Sequence, residues 1–273
     1  MSRTIHIFGS SFSAGYGLNP EVSDIPHSYA SYYKDTWGVR IKNFFNDYSV
    51  VNHAIPGISN EVNKDLLLKN INTFKKGDIV IFGVTDFKRL SILVNKDHPY
   101  RQAHFNITGQ GYRQYLENLM SKQPISKFIP HYLKSFFYNN ELDHTHFNSA
   151  INFYHDFIYK GRFALQNETH FKELILSFTD FFNKLDIKLY AWDSTIWFEG
   201  ENTATWSDFE YKDYHWSPNG NNFFLGYLLW GIKNNYRFLD LELYTKYKEE
   251  IENFTSSKSL DVYINHSPVV PMI

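Results

Sequence analysis

The sequence predicts an α/β protein of the flavodoxin-like type, in which helices cover both faces of a doubly wound parallel sheet and make three layers. Two observations support this fold class. Short apolar runs alternate along the chain with segments of helical periodicity. The runs IVIF and IKLYAW are almost entirely apolar, as expected for strands that are buried on both faces of a sheet.

Four strands are expected, at residues 4–8, 49–53, 79–82 and 187–192. The first three end at turns that contain Gly, Ser or Pro-Gly. The segment WGVRIKNFF between the first two strands has apolar residues near helical spacing. A clear helix precedes the fourth strand, because its apolar residues recur three and four positions apart from Phe171 to Phe182.

Further helices are expected at residues 217–235, where Ser217 and Pro218 suit a helix start, and at 239–254. The stretch at about 91–168 interrupts the strand–helix rhythm, and we interpret it as a mostly helical insertion after strand three. No internal repeat or linker is evident, so residues 1–273 are expected to form one domain, with a C-terminal helix and tail at about 239–273.

Composition excludes several classes of function. The formal net charge is -2, which argues against a nucleic-acid-binding protein. The absence of Cys excludes disulfides, thiolate metal sites and cysteine nucleophiles, and no convincing metal-ligand spacing or cofactor motif is found. Neither a signal peptide nor an apolar run of about 18 residues is present, so we expect a cytoplasmic protein without membrane contact.

Polar loops follow the first three predicted strands, where a parallel sheet places its ligand crevice. The loop GSSFSAG holds Ser11 in a tight turn between strand and helix, which presents a hydroxyl beside backbone N–H groups. The second loop contains Gly57, which permits close approach of the backbone to a ligand, and the third, GVTD, contains Thr85. Each loop taken alone is also explained by ordinary turn chemistry.

A fourth polar block, DYHWSPNG, lies far downstream and precedes a predicted helix. His215 stands two residues after Asp213, whose carboxylate can orient the imidazole. A Ser and such a His can act as nucleophile and general base. The alternative roles are structural: Asp213 can cap the following helix, and His215 can pack against Trp216 at the start of that helix.

The order of the four blocks resembles that of the SGNH/GDSL hydrolase superfamily. The family's GDS-like turn corresponds to GSSFSAGYG, its second-block Gly to Gly57 in NHAIPGISN, its GxND-like exit to GVTD, and its DxxH-like loop to DYHWSPNG. The match covers about residues 4–90 and 186–230. The D-x-H-W spacing of the last block is more similar to the SGNH-like polysaccharide O-acetyltransferases than to ordinary esterases.

The resemblance implies a role for each matching residue. Ser11 matches the nucleophile, His215 the base, and Asp213 is the nearest carboxylate. The backbone N–H groups of Ser11 and Gly57 match two oxyanion-hole donors. Thr85 stands where the family has the Asn that supplies the third donor, so its hydroxyl is the expected substitute.

Three more side chains are candidate substrate contacts: Asn60, Arg89 and Trp216. Asn60, or a hydroxyl such as that of Ser59, can also replace the missing oxyanion donor. Arg89 can hold an anionic or sugar substrate, with a solvated surface position as its alternative role.

The resemblance implies a serine-dependent ester hydrolase that releases a small acyl group from a carbohydrate through an acyl-enzyme on Ser11. It implies no cofactor, and the oligomeric state is left open. Two alternatives stay open: an O-acyltransferase to a sugar hydroxyl, and a non-catalytic binding or structural protein that retains the fold. The departures at Ser10, where the family has Asp, and at Thr85 favour the non-catalytic alternative.

Overall fold

The computed structural model of the chain describes residues 3–14, 37–55, 58–85, 87, 89–93, 104–107, 163–193 and 218–256. The chain divides into two compact units. The first comprises Met1–Pro56, Asn63–Thr85 and Glu173–Ile273, and the second comprises Gly57–Val62 and Asp86–Lys172. The single domain expected over residues 1–273 stays a prediction.

Seven strands are described: β1 (Arg3–Phe8), β2 (Tyr48–Asn52), β3 (Ile79–Val84), β4 (Leu90–Leu93), β5 (His104–Ile107), β6 (Lys188–Asp193) and β7 (Phe238–Leu239). Five of them form an all-parallel sheet in the order β2-β1-β3-β6-β7. This is the flavodoxin-like order, in which the first strand lies inside the sheet and the second at its edge. The predicted α/β fold class is therefore confirmed, and the four predicted strands are found within two residues of their expected bounds.

Seven helices are described: α1 (Ser11–Ala14), α2 (Trp37–Arg40), α3 (Asn60–Lys69), α4 (Phe163–Lys184), α5 (Pro218–Lys233), α6 (Leu241–Lys246) and α7 (Lys248–Ser256). Short 3-10 turns lie at Ile41–Phe44 and Ile71–Thr73. The predicted helices before β6 and after Ser217 are confirmed as α4 and α5. The single helix expected at 239–254 is wrong: Tyr247 leaves helical geometry (φ -116, ψ 23), and separates α6 from α7.

One face of the sheet carries an aromatic core. Ile5 and Ile7 of β1 point to this face, where they join a buried cluster that includes α2 and α5. Trp37 and Phe224 meet edge to face with ring centroids 5.2 Å apart. The ring centroid of Trp192 lies 4.3 Å from that of Phe224, and Trp192 is fully buried, as expected of a core residue.

The alternate residues of β1, His6 and Phe8, face the other side of the sheet. Phe74 contacts both of these rings, with centroid distances of 4.7 Å to His6 and 6.1 Å to Phe8. The ring centroid of Phe74 also lies 5.8 Å from that of Phe182 in α4, and the Phe182 side chain is fully buried. Apolar packing on both faces explains why the central strand β3 is a continuous apolar run.

The second unit contains β4 and β5, which pair antiparallel with Leu90 opposite Ile107. Phe87 and Phe171 make an edge-to-face contact in this unit at 6.0 Å. The segment expected as a mostly helical insertion therefore also holds a strand pair, which its sequence did not predict. The remainder of that segment, including the helical pattern at 147–158, lies outside the described residues.

Within the described ranges, no helix combines the length and the apolar character that crossing a membrane requires.

Candidate functional site

Ser11 is the first residue of α1 and follows the end of β1 by a two-residue turn. The carbonyl oxygen of Ser10 closes this turn, because it accepts hydrogen bonds from the backbone N–H groups of Ser13 (3.1 Å) and Ala14 (3.0 Å). The Ser11 residue is 4% exposed, against 2% for Ser10 and 0% for Ser13. The predicted nucleophile thus lies at the carboxyl edge of a central strand, in a turn whose three serines are all buried.

Ser13 packs between two glycines beneath this turn. Gly9 has φ +156, and a Cβ at Gly9 would lie 2.1 Å from the Ser13 Oγ. A Cβ at Gly83 of β3 would lie 2.9 Å from the same atom. Glycine is therefore required at both positions for the turn to sit this close to β3. The fully buried Ser13 side chain has a packing role in this arrangement.

Thr85, the predicted third oxyanion donor, directly follows β3 and is fully buried. Phe8 of β1 is in register with Phe82 of β3, so Ser11 and Thr85 follow the carboxyl ends of neighbouring strands. Asp193 ends β6 opposite Val84 and is 8% exposed, which adds a buried carboxylate to the same edge. The sequence pattern alone did not single out Asp193: it directly follows the run IKLYAW, and only the pairing of β3 with β6 places it at this edge.

Two asparagines that the sequence analysis did not assign fix the strand ends. The Asn52 Nδ2 donates to the Ser13 carbonyl oxygen at 2.9 Å. The Asn63 Nδ2 donates to the Gly83 carbonyl oxygen at 3.0 Å, and Asn63 is fully buried. Buried amide side chains that bond backbone groups in this way hold loops in a defined position.

Trp37 links the Ser11 turn to the beginning of α5. Its indole Nε1 donates to the Phe12 carbonyl oxygen at 3.1 Å, and its backbone N–H donates to the Asn221 Oδ1 at 3.4 Å. Asn221 lies in the first turn of α5, which begins at Pro218, within the DYHWSPNG block, and Asn221 directly follows that block. Described residues therefore connect α1 to the helix that follows the predicted base.

The other predicted site residues are distributed differently. Asn60 begins α3 and is 2% exposed, and Arg89 is a half-buried residue directly before β4. Both belong to the second unit. The remaining four lie outside the described residues: Gly57, Asp213, His215 and Trp216. The structure brings Ser11 and Thr85 to one sheet edge, and the other parts of the site stay predictions.

A chain of titratable groups lies on the sheet face that carries Phe8. The His6 Nε2 is 3.4 Å from the Asp78 Oδ2, and the His6 Nδ1 is 3.2 Å from the His53 Nε2. Asp78 also accepts hydrogen bonds from the backbone N–H groups of Thr4 and Lys75, each at 2.8 Å. Burial first, and electrostatic repulsion between protonated His6 and protonated His53 second, lower the pKa of His53 to about 4. Burial also lowers the pKa of His6, against the opposing effect of Asp78. The His53 imidazole is therefore neutral at pH 7.

In the part of the chain that the structure describes, no group of three or more His, Asp or Glu side chains could hold a metal ion.

Comparisons of the chain with family models, with curated proteins and with solved structures find no match. The fold and the described part of the site define a doubly wound α/β protein that carries a serine-bearing turn at the carboxyl edge of its first strand.

Proposed function

We propose that the chain is a serine-dependent ester hydrolase of the SGNH/GDSL type. The observation that carries the proposal is the position of Ser11, at the start of a helix directly after a central parallel strand, with Thr85 after the neighbouring strand. Ligand crevices of doubly wound sheets lie at this edge. The two hydrogen bonds of Trp37 add support, since they connect the Ser11 turn to the first turn of α5. That helix begins three residues beyond His215 in the sequence.

In the proposed mechanism, the Ser11 hydroxyl attacks the acyl carbonyl while His215 accepts its proton. The backbone N–H groups of Ser11 and Gly57, with the Thr85 hydroxyl, stabilise the oxyanion that forms on the carbonyl oxygen. His215 then donates the proton to the leaving alcohol, and an acyl ester remains on Ser11. Water, activated by His215, hydrolyses this ester. Asp213 is proposed to orient the imidazole through the ring nitrogen that does not exchange the proton.

The small exposed fraction of Ser11 favours a small acyl group such as acetyl, because a bulky acyl chain needs an open approach. A carbohydrate alcohol is the leaving group that the resemblance implies. The same acyl-enzyme would serve an O-acyltransferase, in which a sugar hydroxyl replaces water in the second step. Product analysis with an acetyl donor and a free sugar separates these two reactions.

The test compares Ser11→Ala with Ser13→Ala, because both serines lie in one turn and only one is proposed to react. A fluorophosphonate probe should label the wild-type protein at Ser11 and should not label Ser11→Ala. Hydrolysis of a p-nitrophenyl acetate ester should fall at least about 1,000-fold in Ser11→Ala. Ser13→Ala should keep the labelling, since Ser13 packs between Gly9 and Gly83.

Two results would contradict the proposal in different ways. Labelling that persists in Ser11→Ala and disappears in Ser13→Ala would show that Ser13, and not Ser11, is the nucleophile. A folded wild-type protein that is neither labelled nor active would instead favour the non-catalytic alternative. Circular dichroism of each variant checks that a loss of labelling does not come from unfolding.

A further inference from the structure

Asn52 joins the segment after β2 to the turn that carries Ser11. Its Nδ2 donates to the Ser13 carbonyl oxygen in α1 at 2.9 Å, and its Oδ1 accepts the Ala54 N–H at 2.9 Å. Nearby, the backbone N–H of Ile55 donates to the Gly9 carbonyl oxygen at 3.0 Å. One side-chain amide therefore bonds both of the backbone segments that leave β1 and β2 at the carboxyl edge.

We infer that Asn52 is a positioning residue for Ser11. It fixes α1, and with it the Ser11 side chain, relative to residues 53–55, which lead toward Gly57 in the sequence. An amide suits this position because it offers a donor and an acceptor together, whereas a carboxylate or a hydrocarbon of similar size does not. This inference rests on the proposed function, since it assigns Asn52 a part in a reaction at Ser11.

Two substitutions of similar size separate positioning from general stability. In Asn52→Asp, the carboxylate still accepts from Ala54 but faces the Ser13 carbonyl oxygen without a proton to donate. Protonation at lower pH restores the donor. In Asn52→Leu, neither bond can form at any pH.

We expect kcat to fall about 10- to 100-fold in both variants at pH 8, because displacement of a nucleophile by about 1 Å has an effect of this size. KM should change by less than about twofold, since substrate binding is not the property altered. Measured relative to wild type, the deficit of Asn52→Asp should shrink between pH 8 and pH 4, a range that reaches the ordinary Asp pKa of about 3.9, and that of Asn52→Leu should stay constant. Asn234→Asp is the matched control: it alters an amide that donates to the Trp230 carbonyl oxygen at 2.9 Å, at the end of α5, and should keep full kcat.

Hydrogen exchange gives a readout that does not depend on activity. The backbone N–H groups of Ser13 and Ala14 bond the Ser10 carbonyl oxygen. Their hydrogen exchange should be at least about tenfold faster in Asn52→Leu than in wild type, and its rate should be unchanged in Asn234→Asp. Unchanged exchange in α1, or a pH-independent deficit in Asn52→Asp, would overturn the inference even if the enzyme is active. A wild-type protein without Ser11-dependent hydrolysis would refute the proposed function, and with it the catalytic role of Asn52, even where exchange increases.

Discussion

Replacement of Gly9 by Ala should strongly destabilise the protein, and the structure gives the size of the effect. The new Cβ would lie 2.1 Å from the Ser13 Oγ and 2.8 Å from the Ser13 Cβ. Overpacking of this kind costs about 1–3 kcal/mol. The φ of +156 at Gly9, which residues other than Gly rarely adopt, adds about 1–3 kcal/mol of backbone strain. The free energy of unfolding should therefore fall by about 2–6 kcal/mol.

The steric part can be separated from the backbone part by a second substitution. When Ser13 is changed to Gly as well, the next atom from a Cβ at position 9 is the Gly83 Cα at 3.5 Å, an ordinary contact distance. The clash should therefore be absent from the double variant Gly9→Ala/Ser13→Gly, so the part of the loss in free energy of unfolding that comes from the clash should be absent too. A double-mutant cycle should give a coupling energy of about 1–3 kcal/mol, and the backbone strain at position 9 should remain.

The assay is urea denaturation followed by tryptophan fluorescence, because Trp37 and Trp192 are fully buried and report on the core. Gly38→Ala is the matched control: the new Cβ would lie 3.2 Å from its nearest neighbour, the Ile7 Cδ1, which is a tight contact and not a clash, so stability should change by less than about 1 kcal/mol. A Gly9→Ala variant as stable as Gly38→Ala, or a cycle without coupling, would refute this account of the turn.

Two further predictions concern stability. Because burial lowers the pKa of His53 to about 4, the unfolded chain binds a proton that the folded chain does not between about pH 6.5 and pH 4. Stability should therefore fall as the pH is lowered through this window, by about 1–2 kcal/mol after allowance for solvent screening of the partly buried ring, and then level off below about pH 4. Chemical denaturation at several pH values should show a smaller loss in His53→Gln, and an equal loss would contradict the assignment. At the start of α6, the Asp240 carboxylate accepts the Leu243 N–H at 2.9 Å. Asp240→Ala should lower the free energy of unfolding by about 1 kcal/mol and Asp240→Asn by much less, a difference that thermal denaturation can measure; equal effects would exclude a capping role.

The first three strands of the sheet could be predicted because short runs that contain Ile, Val or Phe end at turn residues, as in IVIFG at β3. The two-residue strand β7 could not, because Phe238 and Leu239 are defined as a strand only by their pairing with Ala191 and Trp192. The break at Tyr247 was missed for a related reason, since helical periodicity continues across it.

The candidate site was predictable only in part. Ser11 could be found because a Gly/Ser turn after a first strand is a local pattern. Asn52 and Asp193 could not, because their roles depend on which strands are neighbours, and residues far apart in the sequence decide that. Asn52 reaches Ser13 across 39 positions, and Asp193 lies opposite Val84 only through the pairing of β3 with β6.

The central position of β3 matters during synthesis of the chain. All six of its residues are buried, and one of its edges pairs with β1, which is made earlier. The partner of its other edge, β6, follows about 100 residues later, which corresponds to about 5–20 s of translation. Throughout that interval the apolar strand IVIFGV has an unpaired edge, which is a template for pairing with another nascent chain. Slow translation between β3 and β6 therefore lengthens the period in which this protein is most prone to aggregate.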